Sequence, residues 1–311
     1  MIEKDRLGMK LSLPRLGASI FALGLGSALP AAAQMPIAGN YGLGAGLGQS
    51  SAILPPPGTH VIENGWIGYD IDRFVDGNGK DTGAPGVDVR ATRLAFRYVV
   101  PDVTLLGGDY APGLVLTYRD QVLRPEPGSK TAYQPGDAVF TPIALGWHQG
   151  TWHTQVSYTI WIPTGKFEEG GQTNTGKGLW SQMFYAGTTW RQETDLPWAV
   201  TLQARYETFG KQKDTDIRPG DVFSIEAAIG KEVVSGLSLG LLAATSFQVT
   251  QQTGTPGGNP DKYRINIAGG EIVWKPKSLP GAQVALRVGK DFDNRNTSEG
   301  IASLLSLAYA F

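Results

Sequence analysis

The sequence predicts an all-β fold: a closed antiparallel transmembrane β-barrel of about twelve strands. Three observations carry this. Segment after segment alternates apolar and polar residues at period two. The connections between segments alternate long and short. The chain ends on another alternating segment, "SLLSLAYAF", closed by Phe311.

The first element is an export signal. Lys4, Arg6, Lys10 and Arg15 flank or precede the apolar stretch "LGASIFALGLGSALP", and "AAAQ" follows with Ala31 and Ala33 at small-residue positions. This is the three-part pattern of a secretory signal peptide over residues 1–33, with cleavage expected between Ala33 and Gln34. The stretch is too short and too glycine-rich for a spanning helix. Residues 34–58 have no period and end in Pro55, Pro56, Pro57 and Gly58. They predict a flexible leader that stiffens before the barrel, and such a leader at the periplasmic rim is a candidate plug.

The barrel is expected over 59–311. Predicted strands are 59–72, 87–99, 103–119, 137–148, 151–163, 179–191, 197–209, 221–233, 237–251, 263–275, 282–292 and 299–311. In 198–207, Trp198, Val200, Leu202, Ala204 and Tyr206 share one face, opposite Ala199, Thr201, Gln203, Arg205 and Glu207. In 299–311, Ile301, Ser303, Leu305, Leu307, Tyr309 and Phe311 share the outward face. Two irregularities are expected: a tight turn at Pro101-Asp102 with a bulge at Gly107-Gly108, and a bulge at Gly269-Gly270, where the apolar face passes from Tyr263, Ile265 and Ile267 to Ile272 and Trp274.

Long connections such as "FVDGNGKDTGAPG" and "GKFEEGGQTNTGKG" alternate with short ones such as "QG" and "VSG". A soluble sandwich has no reason for this asymmetry. A bacterial outer-membrane barrel does: tight periplasmic turns, long extracellular loops, and both termini on the periplasmic side. Backbone groups in lipid must be paired within the protein, so the sheet must close.

The two faces then acquire roles. Tyr69, Trp147, Trp152, Trp198, Trp274, Tyr309 and Phe311, near strand ends, are expected in an aromatic girdle. Asp70, Asp72, Arg93, Arg97, Arg119, Arg205, Glu207, Glu226, Arg264, Arg287 and Asp291 are expected to line the lumen, where they either border an aqueous path or pair with one another and fill it.

Other chemistries find little support. There is no cysteine, so no disulfide, thiolate nucleophile or Cys-ligated metal exists. Net charge is −1, without the basic excess that nucleic acid requires. His60, His148 and His153 match no metal spacing, and none suits a lipid-face catalytic pair near the outer leaflet, so no catalytic residue, metal or cofactor is expected. Asp76 to Asp81, "DGNGKD", has Asp-x-Asn spacing but no distal Glu, and reads as a turn before a calcium loop. "GLGAGLG", Gly42 to Gly48, follows no strand and is not a nucleotide loop.

Pro56, Pro57, Gly58 and Thr59, then Tyr69 and Asp70, then Asp76, Gly77 and Asn78, resemble the start of the outer-membrane family named for the meta-cleavage pathway of phenol degradation, relatives of which are sphingosine-induced channels. "LGGDYAPGLVL" (106–116) is similar to a second patch of that family. The resemblance implies a channel for passive uptake of small hydrophobic or aromatic molecules, with no catalytic residues. The alternatives are a structural or adhesive barrel with a filled lumen, or a lipid-acting barrel enzyme. Expected partners are outer-membrane lipid, a small-molecule solute and, during biogenesis, the barrel-assembly machinery, for which a terminal Phe311 resembles the insertion label.

Overall fold

Strict alternation lets each strand bury one face and expose the other, and twelve long strands do so. The computed structural model describes residues 35–123, 134–169 and 174–311; the expected signal segment, with Ala33 and Gln34, lies outside them. The strands are β1 (His60–Val75), β2 (Val87–Tyr98), β3 (Gly113–Leu123), β4 (Ala138–Gln149), β5 (Trp152–Ile162), β6 (Ser181–Arg191), β7 (Trp198–Phe209), β8 (Val222–Val234), β9 (Leu237–Gln248), β10 (Arg264–Trp274), β11 (Ala282–Asp291) and β12 (Thr297–Ala310). Neighbours in sequence are antiparallel neighbours in the sheet. β12 returns to β1, from Val61↔Ala310 to Val75↔Thr297, and closes the ring. At the terminus the Phe311 and His60 backbones exchange N–H···O bonds of 2.8 and 3.0 Å.

The β3–β4 seam is the shortest, with Gly113↔Thr141, Leu114↔Phe140 and Val115↔Val139 paired. A small hairpin, Thr104–Leu105 with Gly108–Tyr110, pairs with β4 below it through Asp109↔Gly146 and Tyr110↔Leu145. The predicted strand 103–119 is therefore divided. The turn at Pro101-Asp102 forms, but Gly107-Gly108 is no bulge: Leu106 and Gly107, at φ 53° and 74°, make the hairpin turn. Pro112, lacking an N–H, marks the break.

Register shifts occur between Ile71 and Arg73, between Phe140 and Ile143 around Pro142, and between Glu232 and Val234. None occurs in β10, which pairs with β9 without interruption from Arg264 to Trp274. The bulge expected at Gly269-Gly270 is thus corrected. Ile265, Ile267, Gly269, Glu271 and Val273 all face inward, and Ile272 and Trp274 face outward. The inner face itself turns from apolar to acidic along the strand, because of what lies inside.

The outer wall is a band of apolar side chains. Leu202, Ile229, Leu241, Ile272, Val288, Ile301, Leu305 and Leu307 are all exposed, Leu241 at 68%. A contiguous apolar surface of this extent belongs in lipid, not water. No helix among the described residues is long and apolar enough to cross a membrane. Trp147, Trp152, Trp198, Trp274, Tyr309 and Phe311 sit outward at the short-turn end. His60 joins this belt, stacked on Tyr98 at 4.2 Å and on Phe311 at 5.4 Å.

Candidate functional site

The site is the barrel lumen, and it is occupied by the chain's own leader. Residues 35–58 enter from the long-loop end and descend to the short-turn end, where the Gly58 N–H donates to Val99 O at 2.7 Å and β1 begins. The leader lacks the regular hydrogen bonds of a strand or helix, so its polar backbone must find partners elsewhere once water is excluded. The wall supplies them.

At the upper end the Ile37 N–H donates to Gln252 Oε1 at 2.8 Å and the Gly39 N–H to the Tyr263 hydroxyl at 2.9 Å. The Lys177 ammonium donates to Ala38 O and Gly39 O at 2.5 and 2.6 Å. Three wall carboxylates then capture leader amides in descending order. Glu207 accepts from Asn40 N–H at 3.0 Å, Glu226 from Gly44 N–H at 2.6 Å, and Glu271 from Gln49 N–H at 2.7 Å. Hydrogen bonds to a charged acceptor contribute about 1.5–3 kcal/mol each.

Burying three carboxylates requires cations. Glu226 forms an ion pair with Arg205 and accepts from Gln203 Nε2 at 2.6 Å. Glu271 pairs with Arg287 Nε at 2.9 Å. The Arg205 guanidinium lies between the Tyr41 and Tyr185 rings, 3.9 and 4.9 Å from their centroids. Burial pushes the Lys177 amine down to about 8, although the Glu207 charge works against this.

Apolar contacts complete the filling. Ala38, Leu43 and Leu47 of the leader join Tyr69, Ile71, Val87, Val89, Phe209, Tyr263, Ile265 and Ile267 of the wall in one core. This is why the upper inner face of β10 is apolar. Lower down, two wall glycines make room for leader side chains: a Cβ on Gly146 would lie 2.6 Å from Leu54 Cδ1, and one on Gly230 would lie 2.2 Å from Gln49 Oε1. The leader is packed inside the barrel: Leu47 is 0% exposed and Leu54 2%.

Arg93, Arg97, Arg119, Arg205, Glu207, Glu226, Arg287 and Asp291 share the inward-facing parity of their strands. Three other expected lining residues do not face the lumen. Asp70 points outward, because the inward set of β1 is Ile67, Tyr69 and Ile71. Asp72 sits exposed in the register shift after Ile71. Arg264 opens β10 on the outward parity and pairs with Asp293 at the exposed rim, 2.5 Å away. Tyr69 is likewise no girdle residue: it is 5% exposed, and its hydroxyl donates to Asp291 inside the barrel. Asp76 holds no calcium-type cradle, since its Oδ1 accepts from the Asn78 and Lys80 N–H groups at 2.8 and 2.9 Å and closes a turn.

Sequence reasoning missed Glu271, Lys177 and Tyr185. Uninterrupted alternation through Gly269-Gly270 would have found Glu271. Lys177 lies in a loop, where no period exists to place it.

Comparison with known proteins follows this geometry. The family model described as "Putative MetA-pathway of phenol degradation" matches residues 71–307. The crystal structure of an outer membrane channel from Pseudomonas putida F1 superposes with TM-score 0.69 at 14% identity, covering 83% of this chain and 97% of that one. The β domain of the Bordetella autotransporter Brka (TM-score 0.44, 10% identity, 82% and 99% covered) is only loosely similar in shape. So is a mutant of the TodX monoaromatic hydrocarbon channel (TM-score 0.40, 9% identity, 84% and 91% covered). No curated protein sequence matches.

Proposed function

Because the chain belongs to the family described as Putative MetA-pathway of phenol degradation, we propose that it is an outer-membrane channel for small hydrophobic or aromatic molecules, with residues 35–58 as its plug. The observation that carries the reading is the way the leader is held. It is joined to the wall by side-chain-to-backbone bonds at Glu207, Glu226 and Glu271 and not by sheet pairing. A segment held this way can shift without opening the barrel, whose ring closes independently through β1–β12 and β3–β4. Export by a signal cleaved after Ala33 belongs to the same reading, and sequencing the N-terminus of the membrane-inserted protein tests it.

The lumen is filled, which favours a second reading, a structural or adhesive barrel. Solute flux separates the two. The protein and a variant lacking residues 35–54 are placed in liposomes and planar bilayers with a panel of phenols and aliphatic amines. The channel reading expects solute entry through the whole protein and larger conductance in the deletion. Absence of flux in both forms rejects the channel, and equal conductance in both rejects the plug.

A further inference from the structure

At the periplasmic mouth, below the plug, the β4–β5 hairpin sets two of the chain's three histidines face to face. His148 and His153 are register partners across the Gln149-Gly150 turn, and both lie on the inward-facing parity of their strands. Their Nδ1 atoms are 2.8 Å apart, with the rings inclined at 64°. Two neutral imidazoles at this distance share one proton, and that proton is what a metal ion replaces.

A second group acts on the first histidine. The Asp109 carboxylate lies 3.8 Å from Nε2 of His148. Asp109 is held there because Gly108–Tyr110 pairs with β4, with Asp109 opposite Gly146. At 3.8 Å the carboxylate does not hydrogen-bond the ring, but its negative charge on that side favours the Nε2–H tautomer, which leaves the Nδ1 lone pair free. Beside His153, an open cleft is lined by Glu193 and Asp195 and also by Arg191, so this rim carries charges of both signs. His60 is elsewhere, stacked between Tyr98 and Phe311.

We propose that His148 and His153, oriented by Asp109, form a binding site for a borderline divalent transition-metal ion, copper(II) before all others, through their two Nδ1 atoms. Geometry selects the class. With metal–nitrogen bonds of about 2.0–2.1 Å, a 2.8 Å separation subtends an angle of about 85–90° at the metal. That is a cis corner of a square-planar or octahedral centre, whereas a tetrahedral zinc would need the nitrogens about 3.3 Å apart. Imidazole donors in tetragonal geometry favour copper(II) and nickel(II), and copper(II) binds most tightly of the first-row divalent ions. Water completes the coordination, and the proton displaced from the shared Nδ1 position leaves to solvent.

The test uses the full exported chain without an affinity tag, in detergent, titrated with copper(II) sulfate at neutral pH. The expected result is one copper per chain, with electron paramagnetic resonance showing two equivalent imidazole nitrogens. His148→Asn and His153→Asn each abolish the signal, and His60→Asn leaves it unchanged. Asp109→Asn, which removes the charge 3.8 Å from His148, weakens binding. A single coordinating nitrogen, binding that persists in His148→Asn or His153→Asn, or binding lost in His60→Asn overturns the proposal. The nitrogen count is read on the unaltered protein and does not depend on the folding of any variant. Binding no tighter than that of the His148→Asn/His153→Asn double variant also overturns it.

Discussion

The ring of Tyr41, on the leader, lies over the guanidinium of Arg205, on the wall, with 3.9 Å from its centroid to the guanidinium carbon. Arg205 is simultaneously the counter-ion of Glu226, whose side chain is 0% exposed. One cation thus neutralises a buried wall carboxylate and holds the leader.

The two roles separate by mutation. Arg205→Ala leaves a buried carboxylate without its partner, and the barrel should lose about 3–5 kcal/mol, read from urea titration of the heat-modifiable gel band. Tyr41→Ala removes the stacking, a matter of about 0.5–2 kcal/mol, together with the hydroxyl's contacts to Gly46 N–H and Glu226. Its barrel should unfold as wild type does, while hydrogen exchange of leader amides 40–49 speeds up. Unchanged exchange in Tyr41→Ala would remove the ring from the grip.

The wall glycines make a steric prediction. Gly146→Leu fills the space of Leu54, and Gly230→Leu that of Gln49. The leader, not the sheet, should yield. Each variant is expected to assemble with normal heat-modifiable mobility and to show raised single-channel conductance. Conductance equal to wild type in both would mean that the lower leader does not obstruct the lumen.

Lys177 introduces a pH dependence with a defined sign. Its amine, faced by Glu207, Asp137 and Arg119, titrates at about 8 with the leader in place, against about 10.4 when free in water. The held state therefore binds fewer protons than a released state as pH rises from about 8 to about 10, and linkage favours the held state over that interval. Below about 8 both states carry the proton, and Lys177 adds no pH dependence. Neutral Lys177 still donates to Ala38 O and Gly39 O. Protease protection of the leader's upper end should increase from pH 7.5 to pH 10, and Lys177→Arg should flatten the profile, since arginine stays charged. A decrease over the same range contradicts the assignment.

Phe311 closes the seam to β1. Deleting it removes both backbone bonds to His60 and the stack with His60 and Tyr309. The expected outcome is a loss of membrane-inserted barrel well beyond the effect of Phe311→Tyr, which keeps the backbone bonds and an aromatic ring at this position. Equal yields of the deletion and the full chain, quantified from outer-membrane fractions, would show that these contacts do not hold the seam.

Much of this architecture is legible from local pattern. Trp198, Val200, Leu202, Ala204 and Tyr206 face outward, and Ala199, Thr201, Gln203, Arg205 and Glu207 inward, as their alternation requires. The same holds for Ile301 to Tyr309. The pattern fails where the inner face stops being polar. Tyr69 and Ile265 look lipid-facing by composition, yet they are inside, because the leader brings Leu43 and Leu47 to meet them. Residue type alone cannot say which side of a strand is apolar when both sides have apolar partners.

The sequence by itself determined the strand number and the closed antiparallel ring, since period, turn chemistry and loop length are local properties that any single segment displays, and it carried the family in the motifs around Pro56–Asn78 and 106–116. Only the tertiary structure decided that residues 35–58 occupy the lumen, that Glu207, Glu226 and Glu271 hold them, and that His148 meets His153 with Asp109 behind. The carboxylate bonds that hold the leader join residues 167 to 222 positions apart. They depend on a chain without periodicity finding donors and acceptors on a wall that exists only once the barrel has closed.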